Sequence, residues 1–133
     1  SNLGSTFEEL AQIIDGVEHS HGVGVCLDTC HIFAAGYAIT EAEDYARTMR
    51  RFDDIVGIDQ LRVIHVNDSK MPFDSHRDRH EHIGQGMIGL QAFDHLVNDP
   101  RLRDVPMILE TPKEADLADD RANLGLLRSL CGQ

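Results

Sequence analysis

The chain has 133 residues, 41% of them hydrophobic, with 12 basic against 23 acidic side chains and a formal charge of −11. That hydrophobic share supports a packed core and excludes global disorder, and the length suits one small domain or a piece of a larger one. No apolar run reaches the ~18 residues of a membrane helix, no basic-then-apolar secretory leader is visible, and the acidic surplus argues against nucleic acid gripped by side chains alone.

The first predicted element is an amphipathic helix. Two overlapping capping boxes, Ser5-x-x-Glu8 and Thr6-x-x-Glu9, precede Phe7, Leu10, Ile13, Ile14 and Val17 at helical spacing. About four turns are expected, ending near Gly22. Residues 23–28, Val-Gly-Val-Cys-Leu-Asp, form a short apolar run of the buried, parallel-sheet kind. After a loop containing Gly36, the box Thr40-x-x-Glu43 opens a second helix to about Ile55, with Tyr45, Met49 and Phe52 on its apolar face.

The second strand is Leu61-Arg62-Val63-Ile64-His65-Val66. A long polar stretch, Asn67 to Gly89, follows, and a loop of that length in a compact domain is usually functional or disordered. Leu90, Phe93, Leu96 and Val97 mark a third helix, residues 106–110 a third strand, and Leu117, Leu124, Leu127 and Leu130 a final helix. The order α-β-α-β-α-β-α implies parallel strands joined by right-handed crossovers. Three strands make a poor sheet alone, and a complete eight-stranded barrel needs roughly 200 or more residues. The expected fold is therefore α/β: residues 1–133 form a single partial domain, the C-terminal part of a TIM (β/α)8 barrel, with about three parallel strands.

Function in such folds gathers where parallel strands end. Here those ends carry Asp28 and His31, then His65, with Asp78 and His80 in the loop beyond, and finally Glu110. Imidazole and carboxylate are the nitrogen and oxygen ligands that Zn²⁺ accepts. Alternation places Gly24, Cys26 and Asp28 on one face of their strand, Leu61, Val63 and His65 on one face of theirs, and Ile108 with Glu110 on the third, so the terminal polar groups can converge. Singly, Asp28 could be a helix cap, His65 a satisfied core histidine, and Asp78 with His80 part of a charge run. Glu110 is harder to explain this way, because a carboxylate ending a buried strand needs a partner. Jointly, three strand ends with one chemistry point to a polynuclear metal site. Such cations would add positive charge where a phosphate docks, which offsets the acidic balance.

The remaining histidines read differently. His19 and His21 belong to a loop at the opposite end of the strands and His95 to a helix, all expected to be solvated, while His76 and His82 flank the ligand loop and could support it. The cysteines Cys26, Cys30 and Cys131 lack a disulfide framework and are expected to be reduced and intracellular, with Cys26 a small buried packing residue rather than a zinc ligand.

Four motifs, in this order, resemble the C-terminal motifs of endonuclease IV, a family of zinc-dependent apurinic/apyrimidinic endonucleases of base-excision repair. They are Leu27-Asp28-Thr29-Cys30-His31-x-x-Ala34-Ala35-Gly36-Tyr37, His65-x-Asn67-Asp68-Ser69-Lys70, Arg77-Asp78-Arg79-His80 and Leu109-Glu110-Thr111-Pro112. The resemblance covers essentially the whole chain. It implies a cytoplasmic enzyme with up to three zinc ions, of which one or two are plausible here. Asp28, His65 and Glu110 would ligate one, and His31, Asp78 and His80 another. Asp28 and Glu110 are the catalytic candidates. The third zinc's histidines and a bridging glutamate come from earlier strands that this sequence does not contain, and Ser1-Asn2-Leu3-Gly4 looks like the segment following that glutamate.

The reaction implied is hydrolysis of the phosphodiester 5′ to an abasic site in double-stranded DNA, with Lys70, Arg77 and Arg79 as plausible phosphate contacts. Partners would also include the missing N-terminal half of the barrel, or further copies of the chain. The rival readings are a metal-dependent sugar isomerase or epimerase barrel, and a non-catalytic zinc-binding fragment that needs its missing half.

Overall fold

The computed structural model describes residues 4–132. Helices α1 (Phe7–Asp15), α2 (Thr29–Ala34), α3 (Ala42–Ile55), α4 (Leu90–Val97) and α5 (Ala118–Leu130) alternate with strands β1 (Val25–Asp28), β2 (Leu61–Val66) and β5 (Met107–Leu109), and β3 (Asp68–Ser69) pairs with β4 (His80–Glu81). The main sheet runs β1-β2-β5, parallel throughout. Three parallel strands with helices packed on one face are a segment of an α/β barrel wall.

That outer face is the core. Val25, Leu27, Ile64 and Val66 project towards Phe7, Met49, Phe52, Phe93 and Leu96 in one continuous buried cluster. Phe7 stacks on Tyr37 with ring centroids 3.9 Å apart and meets Phe52 edge-on. The opposite face carries Cys26, Val63, His65 and Ile108, and no element among the described residues covers it.

Several expectations change. Helix α1 spans nine residues, not four turns. The Thr6 cap forms, with the Glu9 N–H donating to Thr6 Oγ1 at 3.1 Å. The helix closes at Gly16, a poor helix former, and the chain turns through His19 at φ 65°. The Thr40 box does not form: the Thr40 hydroxyl donates to the Ile88 carbonyl instead, and Glu41 occupies the cap position. In α5, Leu117 precedes the helix at φ 60° and both Leu117 and Leu124 are exposed. The helix instead turns Asn123 and Leu127 inward, where Asn123 Oδ1 accepts the Ile83 N–H.

Strand parity also needs amendment. Val25 pairs with Leu61 but Cys26 pairs with Val63, so the register slips at Arg62. Leu61 therefore joins the buried side, while Val63 and His65 face the other way. Cys26 is exposed, not buried, because it points to that uncovered side.

The long segment after β2 is ordered by one carboxylate. Asp68 is fully buried and accepts the N–H groups of Ser69, Gly84, Gly86 and Ile88 at 2.8–3.1 Å and that of Gly89 at 3.4 Å. Gly86 has to lack a side chain, since a Cβ there would lie 2.4 Å from the Ser69 carbonyl oxygen. Further along, the N–H groups of Asp74 and His76 donate to the Phe33 and Ala34 carbonyls at the end of α2. Both residues adopt left-handed backbone to do so, at φ 60° and 58°. The loop is thereby fastened to α2, and this fastening carries Asp78 to His31.

Candidate metal centre

Asp28 ends β1 and also caps α2. Its Oδ1 accepts the Cys30 and His31 N–H groups at 2.9 and 3.1 Å, as an N-cap carboxylate does. The helix-cap reading of Asp28 is thus realised, yet it occupies only one oxygen. Oδ2 points across the sheet end, 3.4 Å from His80 Nε2 and 3.9 Å from His65 Nδ1. Asp28 and His65 are register partners, and Glu110 follows β5 two residues beyond Ile108, the register partner of His65. All three therefore share a face, and His65 Nδ1 contacts Glu110 Oε1 directly.

Two groups of side chains could hold a cation: Asp28 with His65 and Glu110, and Cys30 with Asp78 and His80, each with its donor atoms within 4.8 Å of one another. His80 joins the two, because its Nε2 lies 3.4 Å from both Asp28 Oδ2 and Asp78 Oδ1, while its Nδ1 is held by the Glu110 carbonyl at 2.9 Å. His31, expected beside Asp78, approaches it at 3.6 Å through Nδ1. Cys30, which was not expected in this set, sits fully buried beneath it with Sγ 3.4 Å from the Arg79 carbonyl.

The electrostatics are those of crowded acid and base. Burial pushes the Asp28 carboxyl above its ordinary range against the pull of the His31 N–H and of His80, with the nearby Asp78 charge adding to the rise. The Asp78 carboxylate, 3.6 Å away, raises His31 despite its burial. The same pairing holds Asp78 low. Burial pushes the Cys30 thiol up to about 12, so it is a protonated packing group unless something displaces that proton. Two histidines and three carboxylates converging within a few ångströms, half-open to solvent, suit a borderline cation such as Zn²⁺.

A cleft of about 440 Å³ opens beside His31 and Asp78, with His76, Arg77 and Arg79 on its walls. His76 is largely exposed and pairs with Asp74. His82 turns away to Asn123, 3.1 Å from its amide nitrogen. His95 is not solvated as expected. Its ring lies against Tyr45, and its Nε2 is buried without a hydrogen-bond partner among the described residues. The motif segment 1–4 falls almost wholly outside the described residues.

Asn67 escaped notice as a site residue. It is fully buried: its amide nitrogen donates to Asp28 Oδ2 at 3.1 Å, and its carbonyl accepts the Glu110 N–H at 2.8 Å. The two-residue spacing from His65 was the available signal, since alternation carries His65 and Asn67 to the same side.

Comparisons with known proteins agree with this architecture. Residues 1–130 match the profile of the xylose isomerase-like TIM barrels. A probable endonuclease 4 from Chloroflexus aurantiacus is 52% identical over 128 residues, covering 96% of this chain and 45% of that protein. One from Trichlorobacter lovleyi is 53% identical over 130 residues, covering 98% and 46%. The crystal structure of endonuclease IV from Thermus thermophilus superposes with a TM-score of 0.84 at 38% identity, covering 97% of this chain and 45% of that one. The chain spans about half the length of the curated relatives it matches.

Proposed function

The chain belongs to the family of xylose isomerase-like TIM barrels, with endonuclease 4 proteins among its relatives, and from that premise we propose that it is the C-terminal portion of a zinc-dependent endonuclease that hydrolyses DNA on the 5′ side of abasic sites. The observation that carries this reading is His80, whose one nitrogen stands 3.4 Å from a carboxylate of each candidate group. Two cation sites sharing so narrow a space suit in-line phosphodiester displacement, in which paired metals clamp the attacking and leaving oxygens.

Asp28, His65 and Glu110 would hold one cation, and His31, Asp78 and His80 another, with Cys30 as a buried neighbour. Adjacent divalent cations lower the pKa of water and neutralise charge on the attacking and leaving oxygens. The chain's own groups do the rest. The β1 and β5 ends fix the carboxylates on rigid elements, the His80–Glu110 carbonyl bond fixes which imidazole nitrogen faces the site, and Arg77 and Arg79 offer guanidinium groups to the phosphates of a DNA strand along the cleft. An abasic nucleotide leaves the stack at little cost, having no base to unpair.

The open inner face of the sheet supports the companion proposal that the chain works with further barrel strands, supplied by a longer protein or by other copies. The test is incision of a duplex carrying one abasic analogue, with elemental analysis of the dialysed protein. Stoichiometric zinc is expected, with weak incision by the chain alone and ready 5′ incision once the remaining barrel is supplied. A folded protein that retains no zinc would defeat the metal reading. Efficient incision by the chain alone would defeat the need for other strands.

A further inference from the structure

We infer that Asn67 is the positioning residue of the centre, aiming Asp28 Oδ2 and the Glu110 strand end at one shared cation; the inference rests on the metal reading above. Asp28 has two oxygens with different duties. Oδ1 is occupied by the N–H groups of Cys30 and His31. Oδ2 faces His80 and His65, and the hydrogen bond from Asn67 Nδ2 decides its direction. The other end of the same carboxamide accepts the Glu110 N–H. One side chain therefore ties β1 to the end of β5 across β2, and the two groups so tied are members of one ligand set.

The geometry asks for a carboxamide. An ionised Asp of the same size offers two acceptors and no donor, and Leu offers neither. Asn67 is itself immobile: its backbone N–H donates to Thr29 Oγ1 at 2.9 Å and its carbonyl accepts from that hydroxyl at 2.6 Å. With no solvent exposure, its amide has no competing water partner. Groups that hold ligands in this way set the orientation of the ligand and the field at the cation.

Co²⁺ reports the geometry directly through its visible ligand-field bands. The 133-residue chain is titrated with Co²⁺ as wild type, Asn67→Leu, Asn67→Asp, Asp28→Ala and the Asp28→Ala/Asn67→Leu double variant, with circular dichroism as the check on folding. Asn67→Leu is expected to weaken Co²⁺ by about 10–100-fold, the usual loss for such a supporting group, and to change band shape and intensity. Asn67→Asp keeps the volume and the acceptor for Glu110 but replaces the donor facing Asp28 Oδ2 with a carboxyl oxygen, so a changed spectrum there reports on the contact to Asp28, through the lost donor and the added charge together. In the Asp28→Ala background, Asn67→Leu should cost less than it does in the wild type, because its route through Asp28 has gone and only the bond to the Glu110 N–H remains to be lost.

A folded Asn67→Leu or Asn67→Asp with wild-type bands and affinity overturns the inference alone. Full additivity in the double variant does likewise, since it would mark a role in general stability. If Asn67→Leu does not fold, Asn67→Asp decides. Wild-type chain that takes up no Co²⁺ overturns the metal reading and this inference with it.

Discussion

The two faces of the three-stranded sheet are built on opposite principles. On one, Val25, Leu27, Ile64 and Val66 are each no more than 5% exposed and sit beneath helices. On the other, Cys26 is exposed and Ile108 is 49% exposed, and the strand ends gather carboxylates and imidazoles. The first face folds the chain, since burying apolar area at about 25 cal/mol per Å² is the main favourable term. The second contributes little to folding and collects groups that repel one another or resist desolvation. Stability and chemistry are thus separated across the thickness of a single sheet, and a substitution should reveal which face it touches.

The largest effect should come from the packed face. Phe93 is fully buried in α4, and Phe93→Ala should lose about 3–5 kcal/mol, enough to unfold a small domain. Chemical denaturation followed by circular dichroism reads this. A loss below about 1 kcal/mol would mean that the core does not depend on this ring.

Next in size is His80→Ala, which should leave the fold intact and empty the centre. Both candidate groups meet at this imidazole, so zinc affinity should fall by more than the roughly 10–100-fold typical of a supporting residue. His95→Ala, in the helix beside Tyr45, should keep its zinc. Equal zinc contents in the two variants, measured after dialysis, would mean that the ligand loop is wrongly assigned.

How much of this was legible depends on periodicity. Alternation along β1, β2 and β5 anticipated that Asp28, His65 and Glu110 meet, because the side-chain period of a strand is a geometric constant. It misjudged Leu61, since a register slip at Arg62 leaves no mark in the residue pattern. The expected burial of Cys26, drawn from its apolar strand and the habit of free cysteine, also failed, because which face of a sheet is covered depends on partners outside the strand. The loop after β2 has no period at all. That Asp78 reaches His31 follows from Asp68 gathering five N–H groups and from Asp74 and His76 fastening to α2. Nothing in the motif Asn67-Asp68-Ser69 says that its central carboxylate is a buried hub rather than a ligand.

A smaller effect tests the electrostatics of the packed side. Burial works to raise the Asp99 carboxyl, but hydrogen bonds from Arg101 and from the Tyr45 hydroxyl outweigh it and hold the group below its ordinary range. A depressed carboxylate stabilises the fold above its unfolded value, about 3.9 for Asp, and loses that contribution as pH falls through the folded value. Wild-type melting temperature should therefore decline below about pH 4. Asp99→Asn should lower stability by about 1–3 kcal/mol at neutral pH, as hydrogen bonds to a charged group do, and should flatten the acid decline. An unchanged acid limb in the variant would assign that decline to other carboxylates.

The smallest effect belongs to the open face and is informative because it is small. Ile108 lies in β5 between Met107 and Leu109, yet it is about half exposed, since its side chain points away from the helices. Its burial in the isolated chain removes little water-exposed area, so Ile108→Ala should change stability by no more than about 0.5 kcal/mol, the range of ordinary surface substitutions. If copies of the chain close over this face, as unpaired strand edges at β1 and β5 permit, Ile108 becomes a core residue of the assembly. The substitution would then cost about 2–5 kcal/mol, and the melting temperature would rise with protein concentration. Denaturation at two widely spaced concentrations separates the cases: a small, concentration-independent change leaves the face open, whereas a large, concentration-dependent one makes it an interface.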